Sequence, residues 1–284
     1  MDSNDKVLND FGEEWDRFNF LDEKELASVK HQFLSYINPL PTTLISRKDL
    51  VIADFGAGTG RWSYFFKDLC KRIYVLEPST KAFEVCRNRF HSDSRVVLLN
   101  QSIEENFIDS SSLDLAVSLG VLHHIPNTQK ALDSIQEKLR PGGYFLGYLY
   151  YALENKPLYY KLIWRMSDLL RRFISHLPKT LKFVLADVLA LLVYFPLAKF
   201  SKLLSRLGFS SDGIPLHHYS NLSYKVMRND ALDRFGTSLE KRFTKEEIRA
   251  MLSAAGFDVS TLVFSEHEPF WTFSVRKSSV DKGQ

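Results

Sequence analysis

The segment Val51-Ile52-Ala53-Asp54-Phe55-Gly56-Ala57-Gly58-Thr59-Gly60-Arg61-Trp62 constrains the fold more than any other part of the chain. An apolar run ends on a carboxylate, three glycines follow at alternate positions, and a helical segment begins directly after them. Glycines so spaced let the backbone turn sharply and approach a ligand with no side chain in between. A dinucleotide site would space them G-x-G-x-x-G, with a helix N-terminus facing a pyrophosphate. Here the spacing is G-x-G-x-G, and Asp54 in front of it would repel pyrophosphate. The turn suits a ligand that carries positive charge.

From Leu50 to Tyr150 short apolar runs alternate with amphipathic segments, the βαβα rhythm of a parallel sheet covered by helices. The pattern predicts strands at 50–55, 72–77, 95–100, 113–119 and 143–150, with helices at about 61–70, 79–90 and 128–139. The last helix is expected to stop at Arg140-Pro141-Gly142-Gly143, which turns the chain into the next strand. Ahead of the sheet, residues 11–37 carry a helical pattern with Phe11, Trp15, Phe18, Leu26, Val29, Phe33 and Ile37 as apolar contacts over the ligand-binding edge. After the core, Thr244 and Glu247 form a capping box for a helix that runs to Ala255 and stops at Gly256. Strands near 257–264 and 270–276 follow. The sheet therefore resumes after a long interruption.

Glu77 ends the second strand about twenty residues beyond the glycines, where an acidic side chain can accept from both ribose hydroxyls of an adenosine. Asp54, the turn and Glu77 together point to S-adenosyl-L-methionine, whose ammonium and sulfonium are cationic and which has no phosphate. The segments ADFGAGTGRW, VLEPS, SIEE, LDLAVSLGVLHHIP and KLRPGGYFLGYLY resemble successive motifs of the class I S-adenosylmethionine-dependent methyltransferases, in the UbiE-like (type 11) subgroup. That resemblance implies an α/β, Rossmann-like seven-stranded sheet of order 3-2-1-4-5-7-6, the last strand antiparallel. It further implies cofactor contacts from Asp54, Phe55, Gly56, Gly58, Gly60, Glu77 and Pro78. Gln101, Ser102 and Ile103 would flank the adenine, and Leu119 and Gly120 would line the methionine end.

Ligands of open α/β sheets bind beyond the carboxyl ends of the strands, and Val121-Leu122-His123-His124-Ile125-Pro126 lies there. Methyl transfer needs chiefly orientation, plus a base when the acceptor is a hydroxyl. His123 and His124 are the candidate bases, and equally candidates for a structural pair bonded to backbone. His217-His218 is a second such pair. Arg228 and Arg234 could hold an acidic acceptor or pair with Asp230 and Asp233. No group has metal-ligand spacing, and Cys70 and Cys86, both in expected helices, are too few for a disulfide scaffold.

The interruption at 151–236 is too long and apolar for a loop. Four divisions result: a helical segment at 1–49 over the cofactor site, the core at 50–150, a helical cap at 151–236 inserted between strands five and six, and the closing helix and strands at 237–284. Between Lys156 and Arg206 ten basic residues face only Asp168 and Asp187, a local charge of +8 that leaves −5 elsewhere. Basic amphipathic helices around an apolar one suit peripheral membrane contact through 156–206, a homodimer interface, or a lid. The apolar stretch 183–198 reads as too short to cross a bilayer. Aromatic and basic residues interleave too little for nucleic acid to be the expected partner. The acceptor expected is a small molecule, a sugar or a lipid-linked compound, methylated on oxygen; N- or C-methylation and cofactor binding without catalysis are the alternatives. The acidic N-terminus lacks signal-peptide features, so the expected location is cytoplasmic, with or without membrane association.

Overall fold

A computed structural model describes residues 23–211, 213–266 and 271–279. Phe11, Trp15 and Phe18, expected on the first helix, lie outside them. The chain divides into two compact units: residues up to Glu154 together with those from Leu239 onward, and Asn155–Ser238.

In the first unit, among the described residues, seven strands form one sheet of order β3-β2-β1-β4-β5-β7-β6. They are β1 (Leu50–Phe55), β2 (Cys70–Leu76), β3 (Val96–Leu99), β4 (Leu113–Leu119), β5 (Leu139–Tyr148), β6 (Phe257–Phe264) and β7 (Thr272–Lys277). The first five pair in parallel, and β7 runs antiparallel to both β5 and β6. Every residue of β4 is buried, as a central strand covered on both faces requires. The helices of this unit are α1 (Glu23–Ile37), α2 (Thr42–Ile45), α3 (Ser63–Phe66), α4 (Thr80–Phe90), α5 (Thr128–Lys138) and, after the insertion, one at Lys245–Ala254. The Lys245–Ala254 helix starts from the expected capping box of Thr244 and Glu247.

Three local expectations are corrected. The helix after the glycine turn is only α3 and one following 3-10 turn, because Cys70 already begins β2. Cys70 is thus a buried strand residue; Cys86 is helical and buried as expected. Arg140-Pro141-Gly142-Gly143 does not separate helix from strand but lies inside β5. Pairing jumps from Leu113↔Leu139 to Leu115↔Tyr144, so β5 bulges outward by three residues there. Gly142 has φ +74°, and a Cβ on Gly143 would sit 2.9 Å from the Leu113 carbonyl oxygen.

On α1, Val29, Phe33, Tyr36 and Ile37 are buried, and Phe33 and Tyr36 pack on Trp62, two residues beyond Gly60. Tyr36 also meets Tyr148 at the carboxyl end of β5. The helix thus packs beside the glycine turn and the carboxyl end of β5.

The second unit is helical: α6 (Leu158–Ile174), α7 (Lys179–Arg206) and α8 (Tyr224–Gly236). Two apolar runs of the sequence form the single helix α7, which is long and apolar enough to cross a membrane, contrary to the expectation from 183–198 alone. The two runs join through a π-helical turn at Ala190–Tyr194, and Phe195 and Pro196 open the segment that follows. A wide turn absorbs the backbone hydrogen bond that proline cannot make. Arg228 pairs with Asp187 of α7, and Arg234 donates to the Ser167 hydroxyl.

The sheet's tight centre gives a direct test. A Cβ on Gly147 would lie 2.5 Å from Cζ of Phe273 on the paired strand. Gly147→Ala should cost about 1–3 kcal/mol of stability by overpacking, read as a lower chemical-denaturation midpoint at unchanged slope.

Candidate functional site

The glycine turn runs off the carboxyl end of β1 with φ of +79° at Gly56, +58° at Gly58 and +72° at Gly60. Only glycine takes such angles without strain. Space excludes side chains as well: a Cβ on Gly56 would meet Val121 Cγ1 at 2.5 Å, and one on Gly60 would meet Phe90 at 2.5 Å. The amides of Gly56 and Ala57 donate to the Leu76 carbonyl, so the turn is bonded to the end of β2. Phe55 lies wholly in the core.

Glu77 follows β2 and is buried. Its two carboxylate oxygens each accept one backbone N–H at 2.8 Å, Oε2 from Gly58 and Oε1 from Ser79. Pro78 lies between Glu77 and Ser79, and Asn100 donates to the Glu77 carbonyl at 2.7 Å and the Pro78 carbonyl at 3.1 Å. Burial raises the Glu77 carboxyl to about 7, against the two amides, which favour the ionised form. Asp54 is also buried, accepts from the Ser63 hydroxyl, and is raised to about 6 by desolvation. Two carboxylates so deprived of water hold their charge poorly alone. A cationic or hydroxyl-bearing ligand restores what burial removed.

The other expected cofactor residues sit at the neighbouring strand ends. Gln101 and Ser102 shape the turn after β3, accepting from the Phe107 and Glu105 amides, and Ile103 is buried beneath them. Leu119 closes β4, and Gly120 follows with φ +82°, its amide donating to the Tyr148 carbonyl.

His123 and His124 lie on a short 3-10 turn beyond β4, and both are buried. The structure divides the pair. His124 Nδ1 is 2.6 Å from the Leu239 carbonyl oxygen, and the Lys241 amide donates to the His123 carbonyl. The turn thus anchors the chain where it re-enters this unit. The His123 ring stacks on Tyr150 with centroids 3.7 Å apart, and neither of its nitrogens has a partner among the described residues. Burial, then the neighbouring His124 and Arg242, hold its pKa well below the usual value, so the imidazole is neutral at physiological pH. His217 and His218 lie on a separate 3-10 turn within the other unit. Among the described residues no cluster of His, Cys, Asp or Glu could hold a metal.

S-adenosylmethionine fits this donor set. Each Glu77 oxygen keeps a further lone-pair direction for a ribose hydroxyl, and Asp54 offers negative charge to an ammonium. The Thr59 hydroxyl, buried in the glycine turn without a partner among the described residues, is an orphan that a polar ligand would satisfy. Thr59, Asn100, Ser79, Ser63 and Tyr150 were not singled out from the sequence. Ser63 and Ser79 could have been suspected from their closeness to the two acids; Asn100 and Tyr150 act across strands.

Residues 53–147 match the methyltransferase domain family. A tRNA (carboxymethyluridine(34)-5-O)-methyltransferase of Mus musculus, ALKBH8, is 27% identical over 150 residues, which are 48% of this chain and 21% of that protein. The chain thus spans about a fifth of that relative's length. By fold it is similar to a chain of the complex between the Haloferax volcanii Trm112 methyltransferase activator and a methyltransferase, at 11% identity and TM-score 0.50, covering 95% of this chain and 98% of the other. An S-adenosylmethionine-dependent methyltransferase from Thermotoga maritima aligns at 15% identity and TM-score 0.48 over 95% and 100%.

Two outcomes are expected at the acids. Glu77→Ala should weaken S-adenosylmethionine binding by about 1.5–3 kcal/mol, read by calorimetry, since hydrogen bonds to a charged group are lost. A carboxyl raised in the folded state stabilises below its unfolded pKa and loses that contribution as pH climbs through the folded value. The melting temperature of the ligand-free protein should therefore fall between about pH 4.5 and about pH 7, and Glu77→Gln should flatten that fall. A pH-independent melting temperature would contradict the assignment.

Proposed function

We propose that this chain, a class I S-adenosylmethionine-dependent methyltransferase, methylates a hydroxyl group with His123 as the general base and Asp54, Glu77 and the glycine turn holding the cofactor. The observation that carries the reading is the buried, neutral His123 with both ring nitrogens unpartnered among the described residues. An unsatisfied buried imidazole costs free energy, and a proton-donating acceptor would relieve it. When bound, the cofactor supplies a methyl group activated by the adjoining sulfonium. The protein's part is to orient the acceptor and to take one proton from it. A depressed pKa keeps the accepting nitrogen free of protons at neutral pH.

Tyr150 fixes the imidazole plane by stacking, while the backbone bond of His124 fixes the turn. His124 is therefore read as a positioning residue. Gly56, Gly58, Gly60 and Pro78 frame the cofactor, with Gln101, Ser102 and Ile103 on its adenine side and Leu119 and Gly120 at its methionine end. The insertion, which leaves the chain after β5, is read as setting acceptor choice. A small-molecule, sugar or lipid-linked hydroxyl fits this scheme better than a nucleic acid, because the part of the chain outside Asn155–Ser238 carries a net charge of −5.

His123→Asn should keep cofactor affinity and lower turnover by about a hundredfold or more, measured with radiolabelled S-adenosylmethionine and a small-molecule extract as acceptor pool. Wild-type turnover should be flat through neutral pH and fall only in acid, because the base titrates well below its usual value. Full turnover in the variant would remove the base role. Equal loss in His124→Asn without loss of melting temperature would transfer it to that residue.

A further inference from the structure

The second unit is built inside out by the standards of a protein in water. Of the large apolar side chains that stand exposed among the described residues, all but Leu34, Phe107 and Val263 belong to Asn155–Ser238. On α6, Leu158 is 84% exposed and Leu169 68%, with Leu162, Met166 and Phe173 on the same side. The opposite stripe is polar and covered: Asp168 and Arg171 are 7% and 4% exposed. Asp168 accepts from both Arg171 and Arg172, and Arg171 also donates to the Thr237 carbonyl.

Helix α7 repeats the inversion. Its buried positions are Lys182, Ala186, Ala190, Tyr194, Ala198 and Ser201, spaced three or four apart, whereas Val184, Val188, Leu191, Leu192 and Leu203 face out. Lys182 donates to the Gly236 carbonyl, and the Asp187 carboxylate accepts from Nε and Nη2 of Arg228. In water the hydrophobic effect drives large apolar groups inward and leaves ionised groups outside. Small residues between helices, ion pairs turned inward and large apolar groups outward are what hydrocarbon selects. An apolar surface of this extent marks an interaction site.

Charge identifies the occupant. Asn155–Ser238 holds 13 lysines and arginines against 5 acids, a net +8. Exposed Arg165, Arg172, Lys179, Lys199 and Arg206 stand among the outward apolar residues. Long basic side chains can lay their stems on an apolar surface and reach anionic headgroups with their charges. A second copy would bring the same +8 face to face with this one and meet repulsion.

We infer that the insertion docks in the plane of an anionic bilayer, with α6 and α7 laying their apolar faces into one leaflet. Topology excludes a crossing. At 28 residues α7 would reach about 42 Å, beyond the roughly 30 Å of a hydrocarbon core, and among the described residues it alone meets that length and apolarity. A single crossing would put the chain on opposite sides of the membrane before and after it. Strands β5 and β6, which precede and follow the insertion in sequence, belong to one sheet, both pairing with β7. Both ends of the insertion therefore leave from the same face of the bilayer. The inference is independent of the methylated atom and of the base.

Flotation of the full chain tests it, with vesicles of phosphatidylcholine and phosphatidylserine and with phosphatidylcholine alone. The protein should float with the anionic vesicles, more weakly with the neutral ones, and less in high salt. Combining Leu169→Glu with Leu192→Glu should lower the partition coefficient roughly tenfold or more, because two apolar groups that enter the leaflet become charged. Both positions are exposed, so helix content and S-adenosylmethionine affinity should stay at wild-type values. No flotation with either vesicle, or a double variant that floats like wild type, would overturn the proposal. So would a dimer seen by sedimentation that the double variant dissolves while neither protein binds vesicles, since the occupant would then be a second copy.

Discussion

The left-handed turn that ends β1 is the constraint on which the site depends. Gly56 lies against Val121, just past the end of β4, the Gly58 amide is held by Glu77 just past the end of β2, and Gly60 lies against Phe90 of α4. Three elements therefore converge on glycines that have no side chains to keep them apart. A β-carbon at Gly56 or Gly60 would push the neighbouring element away before it touched any ligand.

Burial and charge are coupled around this turn. Asp54 and Glu77 are acids in a place that disfavours their ionised forms, and His123 is a base in a place that disfavours its protonated form. All three effects have one cause, removal from water, and each is reversed by a different kind of ligand. The acids gain from a cation and from hydroxyl donors, the imidazole from a single proton donor. The first two requirements match the cofactor, and the third is one that a proton-donating group would meet.

The insertion follows the opposite packing rule from the sheet. In the first unit Ile52, Leu115, Phe145 and Phe273 are inside and the charges are largely outside. In the second, Asp168 and Arg171 are inside and Leu158, Met166 and Leu169 are outside. One chain can contain both patterns because each unit buries its own interior, and what remains outside is set by the medium it meets. The π-helical turn at Ala190–Tyr194 belongs to the same logic. It carries α7 past Pro196 without a break, keeping one long apolar surface where two shorter ones would otherwise diverge.

Local sequence was enough for the parts of this protein governed by short-range rules. Glycine spacing marked the turn, alternation of apolar runs marked the strands, Thr244 and Glu247 marked a helix start, and Asp54 and Glu77 marked the strand ends that face a ligand. The order of the sheet came with the resemblance that those motifs carry. Tertiary structure decided what depends on partners far apart in the chain. It placed Arg140–Gly143 in a bulge of β5 rather than a turn, because Leu113 on β4 and the residues beyond it fix the pairing. It tied His124 to Leu239 and left His123 stacked on Tyr150, a distinction invisible in two identical adjacent letters. It also decided which face of α6 and α7 points outward. Periodicity locates an apolar stripe but not the medium it faces; that follows only from where Asp168, Arg171 and Asp187 find their hydrogen-bond partners.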